Sequence, residues 1–398
     1  MKLTKIASHG PKADIRFLDV EHAARVQAFH KSFPMYKPTP LAHLSHLAAK
    51  LGIKNMFVKD ESHRFGLNAF KVLGGSFAIG SYIAKKLSLN PAELSYAKLI
   101  SPEVKQALGD VTFVTATDGN HGRGVAWTAH RLQQKSVVYM PKGSSQERLN
   151  NIKAEGADAS ITDLNYDDAV RLANEQAEKN GWVVVQDTSW EGYTDIPRWI
   201  IQGYSTMAYE AYQQLQSQSI RPTHIFIQAG VGALAAAVTG FFANAYPGSQ
   251  KPIITIVEPQ TAGCIFKTAE ADDGKLHFVG GSMPTIMAGL ACGEPCGIGW
   301  QVLESYADFA VTCPDTTSAD GMRILGAPLD GDPRVISGES GAVTSGLTAQ
   351  LLRDDAYASI RKELQLDDNS TVLCFSTEGA TDKANYLDIV WKGKLASC

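Results

Sequence analysis

A lysine that forms a Schiff base with a carbonyl must be partly desolvated and held in place. One lysine of this chain has such a setting. In the stretch ESHRFGLNAFKVLGG, residues 61 to 75, Lys71 follows Phe65, Leu67, Ala69 and Phe70 and precedes Val72, Leu73, Phe77 and Ala78, an apolar wall on both sides. Gly74 and Gly75 leave room for a flat ring or for another backbone. Lys71 is read as the covalent anchor of a cofactor aldehyde. The alternative is a lysine that snorkels from a helix start.

Three further loops carry residues fit for chemistry, each after a run that reads as a buried strand. TATDGNHGRG, residues 115 to 124, crowds Thr115, Thr117, Asp118 and Asn120 into a turn that enters a helix. Amide groups at a helix start attract an anion, and Asn120 can hydrogen-bond a ring oxygen. A plain capping turn would use the same residue types. QAGVGALAAAV, residues 228 to 238, offers Gly230, Val231 and Gly232 before a helix of small residues, a turn whose amides suit a phosphate. Tight strand-to-helix turns also use glycine without any ligand. FSTEGAT, residues 375 to 381, places the Ser376 and Thr377 hydroxyls where a sheet meets its crevice, or else forms a bare turn.

The elements that must position these loops follow from periodicity. Leu41, Leu44, Leu47 and Leu51, after Pro38 and Pro40 and before Gly52, predict an amphipathic helix over residues 41 to 51, and a short strand follows at 56 to 59. From Val111 onward strand and helix alternate. Strands are predicted at VTFVTAT, SVVYM, residues 159 to 162, residues 182 to 186, HIFIQAG, ITIVEP and TVLCF. Helices are predicted at GRGVAWTAHRLQ, at QERLNNIKAEG, from Tyr166 to Asn180 with Asn165 as cap, from 196 to 215, and from Ala233. Such alternation implies α/β architecture with parallel sheets covered by helices.

A chain of 398 residues suggests two domains, and with no repeat, low-complexity tract or long linker the second is expected to be inserted into the first, with seams near Gly75 and Gln202. That gives a large domain of residues 1–75 plus 203–398 and a small one of 76–202. A net charge of −4 with mixed signs supplies neither a basic stripe for nucleic acid nor an acidic tail. No segment reads as a signal peptide or a membrane span, so a cytoplasmic protein is expected. The six cysteines, Cys264, Cys292, Cys296, Cys313, Cys374 and Cys398, show no metal-ligand spacing and read as reduced thiols, with a local pairing of Cys264 and Cys292 as the minor alternative.

Taken together, the motifs resemble the fold type II pyridoxal phosphate enzymes, the family of tryptophan synthase beta chain, threonine dehydratase and cysteine synthase. VKDE at 58 to 61 with NAFK, TDGNHGRGVA, QGYSTMAYE at 202 to 210, AGVGA, IVEP at 256 to 259 and STEG occur in the family's order, from Pro38 to Thr381. The resemblance implies two open, mostly parallel sheets covered by helices, pyridoxal 5'-phosphate as cofactor, a small amino acid as substrate and a homodimer. It further implies that Lys71 forms the Schiff base and that Asn120 contacts the ring hydroxyl. Gly230, Val231, Gly232, Ala233 and Leu234 would bind the phosphate, and Thr377, with Ser376 as second candidate, would meet the pyridine nitrogen. Relatives have a run of glycines where this chain has Val231 and Ala233, but main-chain amides suffice.

The substrate loop would be Thr117, Asp118 and Gly119. Asp118 stands where the dehydratases carry a small residue, and it could hold a 3-ammonium group or act as a base opposite Lys71. Asp187, in VVQDTSWEGY, is a second carboxylate at a strand end, expected to bind or protonate a leaving amine. The resemblance, supported by these two carboxylates, implies β-elimination of ammonia from 2,3-diaminopropionate, of D or L hand, to pyruvate and two ammonia, with Lys71, Asp118 and Asp187 as catalytic groups. The alternatives are a serine or threonine dehydratase, a cysteine synthase-like β-replacement enzyme, or a silent cofactor carrier. Glu339 in SGESGAV reads either as a residue near the site or as an exposed turn glutamate. Trp190, Tyr193 and Trp199 read either as pocket wall or as core.

Overall fold

The computed structural model describes residues 1–117 and 119–396. Eleven strands occur among them: β1 (Lys2–Lys5), β2 (Leu41–His43), β3 (Asn55–Asp60), β4 (Thr112–Ala116), β5 (Lys135–Met140), β6 (Asp158–Ile161), β7 (Val183–Val184), β8 (His224–Gln228), β9 (Ile253–Pro259), β10 (Phe309–Cys313) and β11 (Thr371–Ser376). They form two sheets, one of seven strands in the order β1-β10-β9-β8-β11-β3-β2 and one of four in the order β6-β5-β4-β7. The smaller sheet is all parallel. The larger is parallel except for its edges, β1 and β2, which run antiparallel to β10 and β3. Every residue of β8, β10 and β11 is buried, as runs such as HIFIQ and TVLCFS require when helices cover both faces. Among the described residues no helix is long and apolar enough to cross a membrane.

The lysine stretch is held between two helices. The helix Val72–Lys86 begins directly after Lys71 and packs between the helices Asn120–Arg131 and Asp195–Gln216. The approach is backbone to backbone, for a Cβ on Gly203 would lie 2.3 Å from the Leu73 carbonyl oxygen and one on Gly124 2.8 Å from Val72 Cα. Gly74 itself makes room for the ring of Tyr204, whose Cε1 would lie 2.5 Å from an added Cβ. The glycines after Lys71 therefore serve helix packing.

Ahead of the lysine, the VKDE motif anchors a buried charge cluster. Arg64 donates from Nε and Nη2 to Glu61 and from Nη1 and Nη2 to Glu210, each at 2.8 Å, and Lys59 Nζ lies 2.8 Å from Glu210 Oε2. All four side chains are buried, two cations facing two anions. Burial alone would raise the Glu210 pKa, but Arg64 and Lys59 hold it below the usual carboxylate range. The cluster fixes the turn Glu61–Gly66, from which the chain runs to Lys71.

Two predicted elements differ. Residues 41 to 43 are an edge strand, paired Leu41 to Lys59, and the helix is confined to Ser45–Leu51 with Gly52 at its left-handed end (φ +72°). The prolines before Leu41 favour extended chain, and leucines three and four apart fit a strand turning into a helix as well as one helix. The strand predicted at 182 to 186 keeps only Val183 and Val184 in its ladder, because the Gln186 side chain takes over the next partner: Gln186 Oε1 accepts from Thr115 Oγ1 at 2.8 Å and from Ala116 N at 3.1 Å. Cys264, Cys296, Cys313 and Cys374 are buried free thiols, and Cys398 lies outside the described residues.

Candidate active site

A cavity of about 640 Å³ opens where the carboxyl ends of both sheets face each other. Lys71, Asp187, Asn120, Thr377 and the loop Gly230 to Leu234 all line it.

Lys71 reaches this place because its loop is joined to the one after β11. Phe70 N donates to the Thr377 carbonyl at 3.0 Å, Gly379 N donates to the Asn68 carbonyl at 3.0 Å, and Ala69 and Glu378 form an isolated antiparallel bridge. Asn68 turns the chain with φ +61°, a left-handed value that asparagine tolerates. NAFK and STEG, some 300 residues apart in sequence, thus form one local unit.

Lys71 Nζ donates to Asp187 Oδ2 at 2.5 Å. The lysine side chain is 19% exposed and that of Asp187 only 2%. Burial pushes the Asp187 pKa upward, but the Lys71 ammonium and His121 overcome it and hold it at about 2, so the carboxylate is ionised. His121 Nε2 donates to the Val185 carbonyl at 2.8 Å, which seats that ring beneath the strand end.

The glycine loop ends at Gly232 (φ +95°), after which the helix Ala233–Ala245 begins without a side-chain cap. Among the described residues no group accepts from the main-chain amides of Val231, Gly232, Ala233 or Leu234. Four amides at a helix start, on a cavity wall, form an anion cradle. A Cβ on Gly230 would lie 3.1 Å from Cys292 Sγ and 3.2 Å from the Gly289 carbonyl oxygen, so the facing loop closes tightly over this one.

Asn120 starts its helix, and its amide nitrogen donates to Glu378 Oε2, while Glu378 Oε1 accepts from Ser340 N at 3.1 Å. Thr377 Oγ1 lies 3.0 Å from Gln228 Nε2. A cradle for a phosphate, a lysine for an aldehyde, an amide for a ring hydroxyl and a hydroxyl for a pyridine nitrogen are the complementary set for pyridoxal phosphate, and these residues fit it.

Other predicted site residues stand apart. Ser376 is fully buried off the cavity wall, its hydroxyl donating to Ser337 Oγ at 2.8 Å, so of the two hydroxyls only that of Thr377 belongs to the cleft. Thr117 lines the cavity, but its hydroxyl accepts from Gly119 N at 2.9 Å and closes the turn, as a capping residue does. Gly119 contributes through that turn and does not line the wall. Asp118 lies outside the described residues. Glu339 is not an exposed turn residue: it is 2% exposed, begins the helix Glu339–Arg353, lines the cavity and accepts from the Asn385 amide. Trp190 and Tyr193 stack on each other with centroids 4.1 Å apart, and the Tyr193 hydroxyl braces the Val184 carbonyl at 3.0 Å. Trp190 lines a smaller neighbouring cavity of about 300 Å³, and none of the three aromatics lines the main one.

Sequence reasoning passed over Gln228 and Glu378, although each touches a predicted residue. Their only signal was adjacency, Gln228 before the glycine loop and Glu378 after Thr377.

The chain matches the family described as pyridoxal-phosphate dependent enzymes over residues 33–359. It is similar to the diaminopropionate ammonia-lyase of Salmonella typhimurium, with 50% identity over 395 residues that make up 99% of this chain and 98% of that protein. Its fold is similar to the holo crystal structure of diaminopropionate ammonia lyase from Escherichia coli, with TM-score 0.92, 45% identity and coverage of 99% of this chain and 97% of that one. The same holds for that enzyme in complex with an aminoacrylate-PLP azomethine reaction intermediate, with TM-score 0.91, 44% identity and coverage of 99% and 98%.

Proposed function

The chain belongs to the family of pyridoxal-phosphate dependent enzymes, and we propose that it is a lyase that eliminates ammonia from 2,3-diaminopropionate of either hand, giving pyruvate and two ammonia. The observation that carries this reading is the near-full-length identity to a lyase named for that substrate, in a chain whose lysine, anion cradle and cleft hydroxyl occupy one cavity.

When bound, pyridoxal phosphate withdraws the electron pair left at the substrate α-carbon, which lets an amine on the next carbon depart. The residues of this chain supply the rest. Lys71 would offer the amine for the aldehyde, the amides of Val231 to Leu234 would hold the phosphate, Asn120 would take the ring hydroxyl and Thr377 the ring nitrogen. With the Lys71 amine held by the aldehyde, its ammonium would no longer pair with Asp187. The carboxylate would stay buried without that ammonium, and its affinity for a proton would rise. Asp187 Oδ2 thereby becomes able to take up a proton and, with Lys71, to pass one to the departing 3-amine. Asp118 is proposed as the carboxylate that holds the 3-ammonium group and as the base on the face opposite Lys71.

The same proposal divides the chain into a large domain, residues 1–75 with 203–398, and an inserted small domain, 76–202. In its support, all four strands of the smaller sheet fall between Thr112 and Val184. It extends, on the family resemblance, to a cytoplasmic homodimer.

The test is release of pyruvate and ammonia from purified, cofactor-loaded protein given D- and L-2,3-diaminopropionate beside L-serine and L-threonine. Two ammonia per pyruvate from the diamino acid, with little product from the hydroxy acids, is the expected result. A preference for L-serine or L-threonine would transfer the assignment to a dehydratase.

A further inference from the structure

Gln228 ends β8, is fully buried and lines the cavity beside Thr377. Its amide nitrogen lies 3.0 Å from the Ser340 carbonyl oxygen, 2.9 Å from the Phe375 carbonyl oxygen and 3.0 Å from Thr377 Oγ1. Main-chain carbonyls can only accept, so the amide must present its nitrogen to this side and cannot be flipped. The opposite end of the group, Oε1, is buried with no partner among the described residues, so the donor face is kept toward these three oxygens although the acceptor goes unused.

An amide nitrogen has no lone pair to accept a hydrogen bond. The Thr377 hydroxyl proton therefore cannot turn toward Gln228, and no other described residue accepts it. What remains is the cavity that Thr377 lines.

We propose that Gln228 is a positioning residue that locks the Thr377 hydroxyl as a donor into the cleft, and that this fixes the cofactor's ring nitrogen in its unprotonated, accepting form. The inference rests on the reading above that Thr377 faces that nitrogen. A carboxylate at position 228 would draw the hydroxyl proton to itself, and Thr377 would then present a lone pair that suits a protonated ring. The difference bears on reaction type. An unprotonated ring is the weaker electron sink, so charge at the α-carbon is relieved by departure of the 3-amine. A protonated ring would hold that charge longer, so that a proton could return at the cofactor's own carbon and water could then release the substrate skeleton as a 2-oxo acid, leaving the cofactor in its amine form.

The experiment is 15N NMR of holoenzyme loaded with cofactor labelled at the pyridine nitrogen, comparing wild type, Gln228→Glu, Gln228→Leu and Thr377→Val. The wild-type resonance is expected in the neutral-pyridine range and insensitive to pH. Gln228→Glu should move it to the pyridinium range and increase the fraction of cofactor left in the amine form per turnover. Gln228→Leu frees the hydroxyl to rotate, so its nitrogen should titrate with pH, and this variant decides the matter if the glutamate does not fold or load. If the Gln228 variants keep the wild-type resonance and pH behaviour while Thr377→Val changes it, the proposal for Gln228 is overturned and the place of Thr377 stands. If Thr377→Val leaves the nitrogen unchanged as well, the assignment of Thr377 to the ring nitrogen falls with it.

Discussion

Removing either member of the Lys71–Asp187 pair from the cofactor-free protein measures how strongly the fold holds the lysine for its aldehyde. The pair is 2.5 Å apart with Asp187 almost fully buried. The Asp187 pKa lies at about 2 instead of 3.8. That difference, 3.8 minus 2, is worth ~2 kcal/mol at 1.36 kcal/mol per unit. Because burial pushes the other way, the attraction of Lys71, aided by His121, must exceed this net value. A double-mutant cycle of Asp187→Asn and Lys71→Met, read by urea unfolding, should therefore give a coupling on the order of 2 kcal/mol at neutral pH. The sign of its pH dependence follows from the depressed pKa. The stabilisation is fully present above the unfolded value of 3.8 and is lost only as the pH falls from there toward about 2, so the coupling should stay level from neutral pH down to 3.8. A coupling of ~0.5 kcal/mol or less, the size found for exposed pairs, would refute the reasoning. Lys71 would then be an ordinary snorkelling lysine.

Three other substitutions test the frame around the pair. Gly232→Ala places a Cβ at φ +95°, a strain of ~1–2 kcal/mol, and should weaken cofactor binding about tenfold in a spectroscopic titration. Gly203→Ala drives a Cβ to 2.3 Å from the Leu73 carbonyl oxygen; overpacking of ~1–3 kcal/mol should lower the thermal midpoint and impair cofactor capture together, since Leu73 sits two residues from Lys71. Arg64→Met leaves Glu61 and Glu210 buried and facing each other without the guanidinium, and should cost ~3–5 kcal/mol in urea unfolding.

Much of this site was readable in the sequence because its parts are local. The alternation from Val111 onward gave the parallel sheet, and the helix Tyr166–Asn180 with Asn165 capping Asp168 N appears as periodicity and cap chemistry required. Each loop at a strand end was marked by its own glycines and hydroxyls. What escaped depends on partners distant in the chain. SGESGAV read either as part of the site or as an exposed turn, yet its small residues begin a buried helix packed against the loop that follows β11. A Cβ on Gly338 would lie 2.4 Å from the Gly379 carbonyl oxygen, and one on Gly341 3.0 Å from that of Glu378. Packing, not turning, is why those residues are small. The strand β10, FAVTC, went unnoticed among alanine and threonine, although every one of its residues is buried and it pairs in parallel with β9. Gln228 carried no signal beyond its place before the glycine loop, because its hydrogen-bond partner Thr377 lies 149 positions away.

Every other role in the cavity depends on Lys71 as the covalent anchor. Borohydride reduction of the cofactor-loaded protein, followed by peptide mapping, tests it most directly. A single labelled peptide is expected, carrying the cofactor on Lys71, together with loss of both the label and the visible absorption band in Lys71→Ala. A label on another lysine, or a Lys71→Ala protein that keeps the band and still releases pyruvate, would contradict it.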